Sequence, residues 1–356
     1  MNVGVTTSRL IRNIPHIVKR EPCFSLVEIM MTYHCTQRCL QCVIPLKGEE
    51  VPAMPFEDFK KVVDRLDAIG THAIILSGGE PLLHPRFIEC INYVAGKRFS
   101  YIHVLSTLYA SQAKVQKLVQ ALLQHKVSLT CSFDGFGALA DHLRGGRDVA
   151  RVTMENMEYL DRENRNAGRP VKTGVNIVLS QMNLHQVPDI LSYVERLGWL
   201  ASLDVYRYTS DNQREDNSLK IEDIDAVRKI INRAIASPMV ITPAWLLEGH
   251  LSNLEGKAPK YCPYLLSPSY GSRFFIHPNG DVKVCLGHRV GNLLVQTPQA
   301  ILDSPEWSGA RRSFESCTGC WTTCHTPLAK FSNYTLSESL RSFHVLKNFD
   351  RMKGVA

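Results

Sequence analysis

The chain has 356 residues, 44% hydrophobic and 21% charged, with 22 Gly and 18 Pro, a profile that excludes a disordered, fibrous or low-complexity protein. Lys and Arg exceed Asp and Glu by 41 to 34, a net charge of +7, which suits an anionic ligand, nucleic acid or lipid headgroup without demanding any of them. No apolar run approaches the roughly 18 residues that cross a bilayer, and residues 1–22 lack a signal-peptide core, so a cytoplasmic chain is expected, in which the 11 Cys read as metal ligands or reactive thiols rather than disulfides.

Residues 1–22 form a basic amphipathic segment. Leu10, Ile11, Ile14, Ile17 and Val18 make its apolar stripe, flanked by Arg9, Arg12, Lys19 and Arg20. Such a stripe packs over the open end of the domain that follows or rests peripherally on a membrane surface. From residue 23 to 240, short β-rich runs alternate with amphipathic helical stretches, the pattern of βα units in a parallel sheet. Six strands are predicted: Phe24 to Thr32, Ala73 to Ser77, Ile102 to Ser106, Val127 to Phe133, Thr173 to Leu179 and Ser202 to Tyr208. Between the first two, Phe56, Phe59, Val62, Val63, Leu66 and Ile69 recur at helical spacing behind Pro55, a stripe read as core. Such units close partly into a barrel or stay an open doubly wound sheet, and periodicity does not separate the two. In either, ligands sit at the C-terminal ends of the strands. Residues 241–330, richer in Pro, Gly, Ser and Cys, read as a small module held by a metal centre rather than by a large apolar core, and residues 331–356 as a final helix.

Directly after the first strand come Cys35, Cys39 and Cys42, a C-x3-C-x2-C group in the loop where a parallel α/β protein keeps its site. Three thiolates on a four-iron cube leave one iron open to an exogenous chelating group. A zinc ion would want a fourth ligand, with His34 the local candidate. At the end of the second strand stand Ser77, Gly78, Gly79, Glu80 and Pro81. The cysteine spacing together with this Gly-Gly-Glu-Pro element resembles the radical S-adenosylmethionine (SAM) superfamily.

The resemblance implies an α/β fold, a partial (β/α)6 TIM-like barrel with a small Cys-rich C-terminal module. It also implies a [4Fe-4S] cluster on Cys35, Cys39 and Cys42, with SAM against Gly78, Gly79 and Glu80, where glycines let backbone approach the ligand. It continues at the fourth strand, where Ser132, Phe133, Asp134 and Gly135 precede Asp141 and Arg144. There it implies contacts of Ser132 and Arg144 with the cofactor's ribose or carboxylate. On the fifth strand, Asn176 and Val178 fall where the family lines the adenosine pocket. The sequence departs from the family at Gln41, where an aromatic residue is common, and at Ser106, Thr107 and Leu108, where Thr-Asn-Gly is common. Neither departure removes a cluster ligand.

Cys262, Cys285, Cys317, Cys320 and Cys324 form a second group. Phe275 to Cys285 reads as a hairpin turning at Asn279 and Gly280, and Cys317 with Cys320 adds C-x2-C. This resembles the twitch or SPASM extensions of radical SAM enzymes, which implies one auxiliary [4Fe-4S] cluster on Cys262, Cys285, Cys317 and Cys320, with Cys324 spare or alternate. The competing reading is a structural zinc on Cys317, Cys320 and Cys324 with His325 or Cys285. Cys23, Cys90 and Cys131 read as buried apolar residues.

The resemblance further implies that the reduced cluster passes an electron to the sulfonium of SAM. The 5′-deoxyadenosyl radical so released takes a hydrogen atom, and a flavodoxin or ferredoxin serves as reductant. The expected function is a radical SAM oxidoreductase acting on a small molecule, with the auxiliary cluster as electron acceptor or relay. Peptide or protein modification is the alternative; only about 22 residues precede the first strand, too few for a leader-binding domain, which weighs against a peptide. A non-catalytic iron–sulfur or zinc protein is a third reading, and no nucleic-acid partner is expected. Asp204, Tyr206, Arg207, His277, His288 and Arg289 are candidates for holding or deprotonating substrate, each equally readable as a surface or packing residue.

Overall fold

A computed structural model describes residues 23–47, 50–207, 214–258, 262, 264, 273–285, 287–317 and 321. The N-terminal segment, the C-terminal tail, Cys320 and Cys324 lie outside these described residues.

The βα alternation builds six parallel strands, β1 (Leu26–Met30), β2 (Ala73–Ser77), β3 (Tyr101–Ser106), β4 (Ser128–Ser132), β5 (Thr173–Leu179) and β6 (Leu200–Val205). They form the partial (β/α)6 barrel. The helices between them are α1 (Phe56–Ala68), α2 (Phe87–Ala95), α3 (Gln112–His125), α4 (Gly137–Arg144), α5 (Val149–Asn166) and α6 (Val187–Leu197). In α1 the predicted stripe buries Phe59, Val62, Val63 and Leu66. Pro55 stands just outside the first turn, where Glu57 and Asp58 meet the positive end of the helix dipole.

Side chains alternate across a strand, so each strand has a helix side and an inner side. The helix side is apolar and sealed: Val27, Ile29, Ile74, Leu76, Val104, Leu129, Cys131, Val175, Ile177 and Leu203 all join one core with the helices. The inner side carries Glu28, Ser77, His103, Thr130, Ser132, Asn176, Ser202 and Asp204. Of these, Thr130, Ser132, Asn176, Ser202 and Asp204 are only partly buried. Cys90 and Cys131 are fully buried and Cys23 nearly so, and burial raises all three thiol pKa values.

Beyond the barrel, α7 (Ile224–Ala236) and α8 (Ala244–Leu254) lead to β7 (Arg273–Ile276), β8 (Asp281–Val284) and β9 (His288–Asn292), then α9 (Pro298–Leu302) and α10 (Pro305–Ser316). The hairpin expected around Asn279 is β7–β8, with Gly280 at φ +81°. The module does not stand apart from the barrel: β7 pairs in parallel with β1, from Leu26 opposite Arg273 to Ile29 opposite Ile276, giving one sheet in the order β6-β5-β4-β3-β2-β1-β7-β8-β9. The outer edge of β6 is covered by residues 239–242. There the Ala201 N–H donates to Met239 O, the Ile241 N–H donates to Ala201 O, and the Thr242 hydroxyl accepts the Leu203 N–H, each at 2.8 Å. Among the described residues no helix is long and apolar enough to cross a membrane.

Candidate active site

The loop after β1 carries Tyr33, Cys35, Cys39 and Cys42, and the end of β2 holds it in place. The Met31 N–H donates to Ser77 O at 2.9 Å, Gly79 N–H to Thr32 O at 2.7 Å and Glu80 N–H to His34 O at 2.8 Å. The two glycines permit this approach. A Cβ on Gly78, whose φ is +148°, would lie 2.3 Å from Thr32 O, and one on Gly79 would lie 2.4 Å from the carbonyl oxygens of both Tyr33 and His34. The close backbone approach expected here of a ligand is therefore made to the cysteine loop itself.

Glu80 is a buried staple. Its carboxylate accepts the Leu82 N–H at 3.1 Å, the Ser106 hydroxyl at 2.8 Å, the Thr107 N–H at 2.7 Å and the Thr107 hydroxyl at 2.6 Å. This accounts for the Ser-Thr-Leu departure at the end of β3: two hydroxyls serve the carboxylate, and Leu108 takes the left-handed turn at φ +52° with its side chain fully buried.

The three thiols sense one another electrostatically. Burial, as the main cause, raises the pKa of Cys35 to about 12 and of Cys42 to about 11, and raises that of Cys39 as well. The sulfurs have N–H donors: the Gln37 N–H points at Cys35 Sγ at 3.4 Å, Arg144 Nη1 at Cys39 Sγ at 3.9 Å, and the Ile44 N–H at Cys42 Sγ. His34, the local candidate for a fourth zinc ligand, is exposed, and among the described residues no three His, Cys, Asp or Glu side chains, the loop cysteines included, are grouped to hold a single metal ion. Three thiols with hydrogen-bond donors at the sulfurs fit the donor set of an iron–sulfur cluster.

Around this loop the other candidates fall into three places. Ser132, Asn176 and Ser202 stand side by side on β4, β5 and β6, and Val178 stands beside Asp204. Arg144 ends α4 and pairs with Asp134 just past β4, whose Oδ1 accepts the Val178 N–H at 2.8 Å. Asp204 Oδ1 lies 3.5 Å from Nε2 of His250, a fully buried residue of α8. Burial lowers the His250 pKa against the pull of Asp204, and Arg207 lowers it further. Tyr206, by contrast, is a packing residue: buried, with its hydroxyl donating to Arg214 O at 2.8 Å.

The hairpin reaches the same region. His277 is hydrogen-bonded to Tyr33, and burial lowers its pKa to about 4 while raising that of Tyr33 to about 12. Arg273 pairs with Glu28, which also accepts the Ser77 hydroxyl. His103, whose pKa burial and Arg273 lower to about 3, completes this inner network. Arg289 pairs with Asp281 at 2.8 Å, and His288 lies at the surface 3.3 Å from the Ser313 hydroxyl; neither joins the barrel interior. Of the second cysteine group, Cys262 is buried, Cys285 sits in a left-handed turn at φ +51° and Cys317 caps α10. Tyr264 links their segments: its hydroxyl accepts the Cys285 N–H and donates to Arg273 O, both at 2.7 Å, and its ring packs 5.0 Å from Phe314 of α10.

Sequence reasoning missed His250, the Glu28–Arg273 pair, and the roles of Asp134 and Tyr33. Only the polar positions alternating within the strands signalled an inner, solvated face.

Residues 29–194 match the family model described as the Radical SAM superfamily. The PqqA peptide cyclase of Bradyrhizobium diazoefficiens is 27% identical over 280 residues, covering 74% of this chain and 66% of the relative. The chain thus spans just under two thirds of that relative's length. The AdoMet-dependent heme synthase of Methanosarcina barkeri is 26% identical over 182 residues, 49% of this chain and 48% of the relative. Among solved structures, Streptococcus suis SuiB superposes with a TM-score of 0.63 at 14% identity, over 84% of this chain and 71% of that one, and so shares the fold. The matched stretch contains the cysteine loop, its Gly-Gly-Glu clamp and the strands that carry them, and on that agreement residues 29–194 are a radical SAM domain.

Proposed function

We propose that this protein is a radical SAM enzyme that oxidatively modifies a peptide. The observation that carries the substrate class is the reach of the similarity. The match to the PqqA peptide cyclase runs over 280 residues, well past the shared domain at residues 29–194, whereas that to the heme synthase covers 182. This reverses the order expected from sequence, where a small molecule came first.

In this reading Cys35, Cys39 and Cys42 would hold the [4Fe-4S] cluster, and Gly78, Gly79, Glu80, Ser132, Asn176 and Val178 would bind SAM. Cluster and cofactor together supply one-electron cleavage of a carbon–sulfur bond and a radical that removes a hydrogen atom. The chain's own residues do the positioning. Gly79 and Glu80 fix the loop, and the inner faces of β4 to β6 receive the substrate. Asp204, with neutral His250 behind it, accepts the proton a dehydrogenated substrate gives up. Cys262, Cys285 and Cys317 with Cys320 or Cys324 would hold an auxiliary [4Fe-4S] cluster, which would supply the electron acceptor for this oxidation; Tyr264, which draws three of these segments together, supports the set. The external reductant is of the flavodoxin or ferredoxin class.

The test is anaerobic reconstitution of the full chain, reduction with dithionite and addition of SAM. Formation of 5′-deoxyadenosine, lost when Cys35, Cys39 and Cys42 are replaced by Ala, is expected. Short peptides encoded beside the gene are then expected to lose two hydrogen atoms by mass spectrometry. Turnover of small metabolites with no change in any such peptide would overturn the substrate class. Iron content is expected at about eight per chain, and about four would remove the auxiliary cluster.

A further inference from the structure

We infer that Arg144 is a positioning residue for the sulfur of Cys39, and that through this contact it raises the reduction potential of the cluster on that loop. The inference rests on the reading of Cys35, Cys39 and Cys42 as cluster ligands, and it departs from the role the family resemblance implies, a contact with the cofactor.

Geometry supports it from both ends. The guanidinium is buried, with Nη1 3.9 Å from Cys39 Sγ and Nη2 paired with Asp134. Asp134 cannot swing away to follow another ligand. Its Oδ1 accepts the Val178 N–H at 2.8 Å, and its main-chain carbonyl accepts the side-chain amide of the fully buried Asn183 at 2.9 Å. The backbone is clamped as well. The Arg38 N–H donates to Arg144 O at 2.9 Å and the Leu40 N–H to Leu143 O at 3.0 Å, so that two hydrogen bonds straddle Cys39. Gly145, at φ +60°, lets the end of α4 press against the loop, since a Cβ there would lie 2.5 Å from Arg38 O. Arginine and sulfur therefore share one frame.

The chemistry follows from the charges. As a thiol, Cys39 can donate to Gln37 Oε1 at 3.9 Å. As a thiolate it has no proton to give, and Arg144 is the donor in place. A cationic donor at a ligand sulfur favours the more negative, reduced state of a cluster and so raises its potential. Nη1 and Nη2 are the guanidinium nitrogens engaged with Cys39 and Asp134, and Nε is buried without a partner.

The experiment is an EPR-monitored redox titration of the reconstituted full chain without SAM, with SAM affinity measured separately. Arg144→Gln is expected to make the loop cluster about tenfold harder to reduce, about 59 mV for a one-electron couple. Arg144→Lys is expected to recover part of that shift. Because Arg144→Gln leaves Asp134 buried and unpaired, the double variant Arg144→Gln/Asp134→Asn is included, with the same direction expected. An unchanged midpoint in both glutamine variants, with SAM binding weakened, would overturn the inference and make Arg144 a cofactor contact. A wild-type loop that takes up no iron would instead defeat the cluster reading itself.

Discussion

Gly79→Ala drives a methyl group into the backbone of the cysteine loop. The added Cβ would lie 2.4 Å from the carbonyl oxygens of Tyr33 and His34, and neither atom is the end of a side chain that can turn aside. The end of β2 must lift instead, which breaks the hydrogen bonds from Gly79 to Thr32 and from Glu80 to His34. Overpacking costs about 1–3 kcal/mol and each hydrogen bond about 1 kcal/mol net, so a loss of about 3–5 kcal/mol is expected. Gly96→Ala is the control: at φ −74° with its nearest neighbour 3.5 Å away, it is expected to stay within about 0.5 kcal/mol of wild type. Urea denaturation of the metal-free chain gives the stabilities, and iron content after anaerobic reconstitution reports whether the loop still presents its thiols. A Gly79→Ala protein as stable and as iron-replete as wild type would refute the close approach of the two backbones.

The raised thiol pKa values make metal loading pH-dependent. Because Cys35 and Cys42 are pushed up to about 12 and 11, loading displaces protons, and each thiolate fraction grows about tenfold per pH unit below its pKa. Iron uptake at limiting iron is expected to rise steeply from pH 7 to pH 8.5, and a flat profile would mean that thiol deprotonation does not limit loading. Glu80→Gln turns an amide NH2 toward donors that now meet a carboxylate, at a cost of about 3 kcal/mol in urea denaturation; a neutral result would mean that the staple is not rigid. His103 and His277, lowered to about 3 and 4 by burial, stay neutral in the folded chain while their unfolded counterparts, with pKa about 6.5, take up protons. Their stabilisation is full above about pH 6.5 and falls as pH drops toward 4, each by about 2 kcal/mol at pH 5. His103→Gln is expected to remove about half of that acid sensitivity in denaturation curves at pH 7 and pH 5.

Strands β2 and β5 were legible to the residue, because each centres on aliphatic residues, Ile74 to Leu76 in β2 and Val175, Ile177, Val178 and Leu179 in β5, set between helical stretches. β6 begins at Leu200 rather than at the expected Ser202 and ends at Val205. The signal for its start was available in Gly198, which closes α6 at φ +69° and releases the chain into a strand almost at once. The cysteine loop and the Gly-Gly-Glu element were visible because their spacing is local. The partnership of β7 with β1 was not, since parallel pairing between segments so far apart leaves no pattern in either. His250 was equally hidden: a single His on a helix says nothing until the fold sets Asp204 against it. Ser106 and Thr107 looked like a loss of the family pattern, and only the four hydrogen bonds at Glu80 turn them into a local substitute.

The seat of β7 beside β1 also bears on how the chain is made. β2 emerges soon after β1 and covers one of its edges, but the other edge waits for β7, the last of its parallel neighbours to leave the ribosome. Until then the nascent chain displays a bare row of amide and carbonyl groups, the kind of surface that recruits strands from other molecules. A truncation ahead of Arg273 is therefore a route to insoluble protein rather than to an isolated barrel.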